Sequence, residues 1–105
     1  MENLKKKIQQ AVDTYKSANL PRAEQMAKKL IDSNPKVVFL YNFLGLVLVG
    51  QGKIDQAIEY YEKGIKIDPN FAMIYNNLGL LFNEHKSDVK KAENYYNKRS
   101  LTFFN

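Results

Sequence analysis

The chain repeats itself at an interval of about 34 residues, and this period limits the possible folds more than any other feature. Segment 41–70, YNFLGLVLVGQGKIDQAIEYYEKGIKIDPN, aligns with segment 75–105, YNNLGLLFNEHKSDVKKAENYYNKRSLTFFN, if one residue is inserted near His85. Upstream, segment 18–35 pairs with segment 52–69 at the same offset. A period of roughly 20–50 residues indicates a repeat architecture, in which each unit packs on its neighbours. The sequence therefore predicts an array of three similar units.

Each unit is predicted to form two helices joined by a short turn. In the second unit, Leu44 and Leu48 recur at helical spacing before the turn GQGKID, and Ala57 and Tyr61 do so after it. Pro69 closes the unit, because proline cannot continue a helix and the residue before it avoids the helical region. The predicted helices span residues 4–17, 20–33, 37–50, 54–67, 71–84 and 88–102.

The second and third units resemble the tetratricopeptide repeat. The matching positions are Tyr41, Leu44, Gly45, Leu48, Ala57, Tyr61 and Pro69 in the second unit and Tyr75, Leu78, Gly79, Phe82, Ala92 and Tyr96 in the third. The first unit is degenerate, because Lys7, Gln10 and Thr14 stand where the family packs large apolar groups. Glycine and alanine at the matching positions are expected to let neighbouring helices approach closely.

The resemblance implies an all-α fold, a right-handed superhelical array of antiparallel helix-turn-helix repeats with about six helices. We expect a single domain over residues 1–105, with repeats at about 4–37, 38–71 and 72–105.

Composition narrows the class of protein further. The chain is 45% hydrophobic and 26% charged, and its net charge of +5 is spread over interleaved basic and acidic residues, as on a solvated surface. Absence of cysteine excludes disulfides and thiolate chemistry. The N-terminal MENLKKKIQQ lacks the apolar segment of a signal peptide, and the apolar run 37–49 is shorter than the roughly 20 residues that span a bilayer. We expect a cytoplasmic protein without a membrane partner, in which this run is buried in protein.

The sequence offers little for catalysis. His85 is the single histidine, and it falls in a predicted helix-helix turn beside Glu84 and Asp88. A metal or general-base site needs several convergent groups and a water-excluding pocket, which such a turn rarely provides. No glycine-rich phosphate loop of recognised spacing is present. We therefore predict that the protein is not an enzyme, with no catalytic residue, no metal site and no cofactor.

Two tyrosine pairs offer another function, a stacking surface for nucleic acid. Tyr60-Tyr61 and Tyr95-Tyr96 both have lysines nearby. In each pair, however, the second tyrosine falls on the packing position of the family, which favours a place in the core. We therefore predict no nucleic-acid partner.

The resemblance also implies a binding surface, because the first helix of every repeat lines the concave side in this family. Carried over residue by residue, it predicts a peptide-binding groove formed by Phe39, Asn42, Leu46, Val49, Met73, Asn76, Leu80, Asn83, Ile8 and Val12, with Lys5 and Tyr15 at the first-repeat end. Ile8 and Val12 are equally suited to packing against the next helix.

The predicted groove is mainly apolar and is larger than the patch that a monomer normally exposes. Asn42 and Asn76 lie one repeat apart, and their amides can both donate and accept hydrogen bonds. We predict that the groove binds an apolar or amphipathic peptide of a protein partner, with these asparagines holding the peptide backbone.

One known ligand class of the family is not expected. Some co-chaperones of this family bind the acidic EEVD tails of heat-shock proteins through lysine, asparagine and arginine at fixed groove positions. The corresponding residues here are Ile8, Val12, Phe43, Met73 and Asn77. Four of the five lack a charge or a hydrogen-bond donor, so we predict that the protein does not bind such tails.

The two ends of the array differ. The first helix has one apolar stripe from Leu4 to Tyr15, with lysines and glutamines opposite, which is typical of a terminal helix whose outer face meets water. The last unit ends at SLTFFN, which would leave Leu101, Phe103 and Phe104 at an open edge. Two alternatives stay open. The chain is part of a longer protein, even an enzyme, whose substrate or partner the repeats present, or it self-associates through the groove or the C-terminal edge.

Overall fold

The computed structural model describes the backbone of residues 2–104 and the side chains of residues 3–99. The described part contains six helices and no strand. They are α1 (Glu2–Lys16), α2 (Leu20–Ser33), α3 (Val38–Gly50), α4 (Ile54–Ile67), α5 (Ala72–Glu84) and α6 (Val89–Phe104). Every helix end lies within two residues of its predicted place, and the all-α prediction is confirmed. The division into repeats at 4–37, 38–71 and 72–105 stays a prediction.

Within each repeat the chain turns through a residue with a positive φ angle. These residues are Ala18 with φ 66°, Gly52 with φ 78° and Ser87 with φ 52°. They are equivalent at offsets of 34 and 35, so the residue inserted near His85 lengthens the turn and leaves both helices intact. The left-handed conformation costs an L-residue about 1–2 kcal/mol, a cost that glycine avoids. Only the turn of the second repeat has glycine, Gly52, at the position that needs a positive φ angle.

Between repeats the chain turns near a proline, and a tyrosine of the next helix fixes this turn. The hydroxyl of Tyr41 donates a hydrogen bond of 2.8 Å to the carbonyl of Pro35. The hydroxyl of Tyr75 donates the same bond, at 2.7 Å, to the carbonyl of Pro69. This contact gives tyrosine a structural reason to recur at the start of the second and third repeats.

The helices pack as antiparallel hairpins, α1 with α2, α3 with α4 and α5 with α6. Neighbouring hairpins join through α2 on α3 and α4 on α5. The first helices of neighbouring repeats also touch directly: the rings of Tyr15 and Phe43 meet edge-on with centroids 5.8 Å apart, and Asn42 bonds Asn77. Helices α1, α3 and α5 therefore lie side by side, as in a right-handed superhelical repeat array.

Helix α3 is the most enclosed element, which confirms the predicted burial of the apolar run. Its buried residues are Leu40, Tyr41, Asn42, Phe43, Leu44, Gly45, Val47 and Leu48. A Cβ atom at Gly45 would overlap the ring of Tyr61, and one at Gly79 would overlap the ring of Tyr96. The two helices of a repeat thus approach closely because these positions lack a side chain, as predicted. No helix in the described range is both long and apolar enough to cross a bilayer.

A nearly buried carboxylate joins the first two repeats. Glu24 of α2 is 9% exposed and accepts hydrogen bonds from Lys28 at 2.7 Å, Gln51 at 2.7 Å and Lys53 at 2.9 Å. The bond from Lys28, helped by Lys53 and Gln51, outweighs desolvation and lowers the pKa of Glu24 to about 2. Gln51 and Lys53 lie in the turn between α3 and α4, so this cluster ties α2 to the next repeat.

The described helices cover α1 on one side only, and its place at the end of the array stays a prediction. Ala11 is fully buried, Leu4 and Tyr15 are half-buried, and the lysines and glutamines of 5–10 are exposed. At the other end of the array, Leu101, Phe103 and Phe104 lie outside the described side chains, so the predicted open edge stays a prediction.

Candidate peptide-binding groove

The apolar residues predicted for the groove form matching pairs on α3 and α5. Phe39 and Met73 are equivalent at an offset of 34, and Leu46 and Leu80 follow seven residues later. Met73 is 55% exposed and Leu80 is 40% exposed. Phe39 and Leu46 are half-buried. Because α3 and α5 lie side by side, the four residues place exposed apolar surface on the predicted face of both helices.

The ring of Phe39 rests on a row of packed aromatic side chains. It stacks on Phe43 with centroids 6.2 Å apart and planes 6° from parallel. Phe43 is 4% exposed and meets Tyr15 of α1 edge-on, so it belongs to the core. One side of the Phe39 ring is therefore packed on the core.

The ends of the predicted groove are less apolar or less open. Val49 is half-buried, and its repeat equivalent Asn83 is exposed. Ile8 and Val12 are half-buried and pack against the core, so each serves the packing role that the sequence left open. Lys5 is exposed on α1. The apolar part of the surface is thus centred on α3 and α5.

Asn42 does not present a free amide to the groove, contrary to the prediction. Its side chain is 1% exposed, and its Oδ1 accepts a 2.8 Å hydrogen bond from Nδ2 of Asn77. Helix α5 packs against α3 at this point, and a buried amide needs a partner. In the repeat alignment, Asn42 is equivalent to Asn76, which lies 34 residues later. The contact between α3 and α5 instead joins Asn42 to Asn77, which lies 35 residues later. Asn42 therefore joins two repeats and is not a ligand contact in this conformation.

Asn76 lies at the groove and is partly engaged by the second helix of its own repeat. It is half-buried, and its Oδ1 accepts a 2.7 Å hydrogen bond from Nη1 of Arg99 on α6. The guanidinium of Arg99 also lies 5.3 Å from the ring centroid of Tyr96. Sequence reasoning missed Arg99, because its equivalent at an offset of 35 is Gly64 and the repeat pattern gives no signal there.

The residues weighed for catalysis and nucleic-acid binding lie outside this surface. His85 is exposed just after the end of α5. No group of three or more histidine, cysteine or acidic residues that could hold a metal occurs in the described part of the chain. Tyr61 is 1% exposed, as predicted for a core residue, and Tyr96 is half-buried against Gly79.

Comparison with known sequences points to one repeat family. Residues 40–85 match the family model described as TPR repeat. The uncharacterized protein ycf37 of Pyropia yezoensis is 38% identical over 69 residues, which are 66% of this chain and 38% of that protein. The tetratricopeptide repeat domain-containing protein PYG7, chloroplastic, of Arabidopsis thaliana is 30% identical over 71 residues, 68% of this chain and 23% of that protein. The chain therefore spans well under half of these relatives.

Among solved structures, the type III secretion translocator chaperone SycD of Yersinia enterocolitica has the same fold. It superposes with a TM-score of 0.93 at 19% identity, covering 100% of this chain and 79% of SycD. In complex with a peptide of the translocator YopD, the same chaperone gives a TM-score of 0.89 at 18% identity, over 97% and 77% of the two chains. At such identity the likeness concerns the fold alone.

Proposed function

The chain belongs to the tetratricopeptide-repeat family, and from this premise we propose that it binds an apolar or amphipathic peptide segment of a protein partner. The binding surface is the concave groove along α1, α3 and α5, and the role is non-catalytic. One observation supports this proposal above the others: Met73 and Leu80 are strongly exposed on α5 beside Phe39 and Leu46 of α3. A helix that served only for packing would not need large apolar side chains there.

The size of the apolar surface supports a useful affinity. Full burial of one large apolar side chain contributes about 1.5–3 kcal/mol. Four such side chains, partly covered, offset the several kcal/mol lost on association. A micromolar affinity, equivalent to about −8 kcal/mol, therefore also requires hydrogen bonds to the peptide.

The polar contacts of the ligand are assigned to the third repeat. Asn42 is buried, so the holding role predicted for the two asparagines falls to Asn76 alone. The Oδ1 of Asn76 is occupied by Arg99, which leaves its Nδ2 to donate a hydrogen bond to a peptide carbonyl. Exposed Asn83, two turns further along α5, is placed to make a second such bond. We therefore expect a ligand that is apolar along α3 and hydrogen-bonded along α5.

Proteins of this fold offer a precedent. SycD was solved in complex with a peptide, which shows that a chain of the same architecture can bind one. That precedent agrees with an interaction module and leaves the groove residues of this chain to be tested.

Selection and mutation of the groove would test the proposal. Peptides selected by phage display on the intact chain would be titrated against the wild type and the Met73→Glu/Leu80→Glu variant. Both residues are exposed, so the fold should tolerate the change, and affinity should fall at least about tenfold. Val89→Glu is the matched control, since Val89 is 58% exposed on α6, outside the groove. Equal affinity of the groove variant and the control would contradict the proposal.

A second test concerns the EEVD tails. The five positions that hold an acidic tail in the co-chaperones contain no cation here. Of these, Ile8 is half-buried and Phe43 is buried. We expect no saturable binding of a free-carboxylate EEVD peptide in fluorescence polarisation. Saturable binding of this peptide at low micromolar concentration would contradict the prediction.

The length of the relatives favours one further candidate, in which these repeats are part of a larger protein and present a partner to it. The matched relatives extend well beyond the aligned region, which is 38% of one and 23% of the other. In that arrangement the groove would have the same chemistry and the same test. Cytoplasmic location stays a prediction, and the chloroplast is the alternative, since one relative is named as chloroplastic. A fluorescent fusion in the source cell would decide between them.

A further inference from the structure

A second apolar depression lies away from the groove, between α1 and α2. It has a volume of about 460 Å³, within the range of roughly 300–1,000 Å³ that is usual for binding clefts. Its apolar lining comes from Leu4, Met26 and Leu30, and its polar lining comes from Lys7, Lys29, Gln10, Ser33 and Asn34. We call this depression the edge cleft.

The repeat pattern shows what such a cleft contains elsewhere in the same chain. Lys7, Met26 and Lys29 correspond to Tyr75, Tyr95 and Lys98 of the third repeat. Those three residues line a smaller cleft of about 330 Å³.

At that internal junction the opposite wall is a helix. Glu62, Ile65 and Lys66 of α4, the second helix of the preceding repeat, line the same smaller cleft. Helix α4 thus packs on this face with an aliphatic side chain flanked by charged ones. At the edge cleft, α1, α2 and Asn34 directly after α2 supply every lining residue, and no other described helix covers it.

The charge around the edge cleft is predominantly positive. Residues 1–36 include eight basic and four acidic residues, so the first repeat has most of the net positive charge of the chain. No described carboxylate forms an ion pair with Lys7 or Lys29. A segment that covers this cleft would therefore gain from acidic side chains.

We propose that the edge cleft docks an amphipathic helix of a protein partner, with an aliphatic side chain placed as Ile65 is at the internal junction and acidic residues flanking it. The apolar lining residues would receive the aliphatic side chain. Lys7 and Lys29 would pair with the acidic residues and set the orientation of the helix. This surface is independent of the groove, so the protein has two docking sites.

Two peptides from the chain itself serve as probes. Residues 54–69, the α4 segment, include four acidic and two basic residues and present Ile65 beside Glu62. Residues 20–35, the α2 segment, are of equal length and include two acidic and three basic residues. With both peptides capped and fluorescently labelled, we expect saturable binding of the 54–69 peptide to the intact chain. The 20–35 peptide should bind at least about tenfold more weakly.

Charge-reversal variants locate the binding site of the 54–69 peptide. The Lys7→Glu/Lys29→Glu variant should weaken binding by about tenfold. The Lys6→Glu/Lys16→Glu variant makes the same change in net charge at exposed residues that line neither the cleft nor the groove, and it should change binding less than about twofold. Circular dichroism would verify that both variants fold.

Several outcomes would overturn the proposal. Equal weakening by the two charge-reversal variants would mean general attraction of an acidic peptide by a basic protein. Loss of binding in the Met73→Glu/Leu80→Glu variant would place the peptide in the groove. A dimer mass of the protein alone, abolished by Lys7→Glu/Lys29→Glu, would mean that a second copy covers the cleft. Absence of saturable binding of the 54–69 peptide would contradict the proposal that the edge cleft docks such a helix.

Discussion

At the scale of residues, Gly45 and Gly79 decide how closely the two helices of a repeat approach. A side chain at Gly45 would overlap the ring of Tyr61, which is 1% exposed and cannot move aside. We predict that Gly45→Ala lowers the free energy of unfolding by about 1–3 kcal/mol, measured by urea denaturation. In the control Gly50→Ala, the new Cβ would meet only the end of the flexible Leu20 side chain, and the effect should stay within about 0.5 kcal/mol. Equal stability of the two variants would contradict the close-packing explanation.

Glu24 makes stability depend on pH. Its pKa is lowered from 4.5 to about 2, so the folded state loses this stabilisation as pH falls from about 4.5 toward 2 and has it fully at neutral pH. We predict that Glu24→Gln lowers the free energy of unfolding by about 1.5 kcal/mol at pH 7. This value is at the low end for hydrogen bonds to charged groups, because the Lys28 and Lys53 side chains are 43% and 41% exposed. The difference from wild type should shrink by pH 2 in urea denaturation. A difference that stays constant with pH would exclude Glu24 as the titrating group.

Single residues also mark the limit of what the sequence predicts. The close approach at Gly45 follows from the repeat pattern, because a small residue recurs there beside a recurring tyrosine. The pairing of Asn42 with Asn77 does not follow from it, since contacts between neighbouring helices depend on how the helices cross and not on repeat equivalence. Arg99 has Gly64 as its equivalent and so has no repeat signal at all.

At the scale of elements, the three helix-helix turns use one backbone conformation with three different residues. Ala18 and Ser87 have positive φ angles at the position where the second repeat has Gly52. We predict that Ala18→Gly and Ser87→Gly each raise the free energy of unfolding by about 0.5–1 kcal/mol, because relief of the left-handed conformation exceeds the entropy that glycine adds to the unfolded chain. Gly52→Ala should lower it by about 1 kcal/mol. Thermal melts of the three variants would verify the signs, and destabilisation by both glycine substitutions would contradict the turn geometry.

The helices themselves were predictable to within two residues at each end. Apolar periodicity, the tyrosine-glycine spacing and the Asp-Pro stop signal all depend on local physics that a sequence expresses directly. The exposure of side chains on the groove face could not be predicted in the same way. Phe39 and Leu46 are half-buried, whereas their repeat equivalents Met73 and Leu80 are exposed. The difference arises because α3 has the first helix of another repeat on both sides, and α5 has a described one only on the side of α3.

At the scale of the whole molecule, the array explains why one helix is apolar on every side. Helix α3 packs against its own partner α4 and against α2 of the preceding repeat, and it lies between α1 and α5, which accounts for its eight buried residues. Of its other apolar residues, Phe39, Leu46 and Val49 lie half-buried on the proposed binding surface, and Val38 lies half-buried near Gly64 of α4. The edge cleft, at the opposite side of the first hairpin, would give the molecule a second and more basic docking site.

The position of a bound peptide on the folded chain tests the central claim most directly. Amide chemical shifts of the isotope-labelled protein would be mapped by NMR during titration with the tightest peptide from the phage selection. The groove proposal predicts saturable shift changes concentrated on α3 and α5, around Phe39, Leu46, Met73 and Leu80. Changes confined to α4 and α6, with α3 and α5 unaffected at saturation, would contradict it.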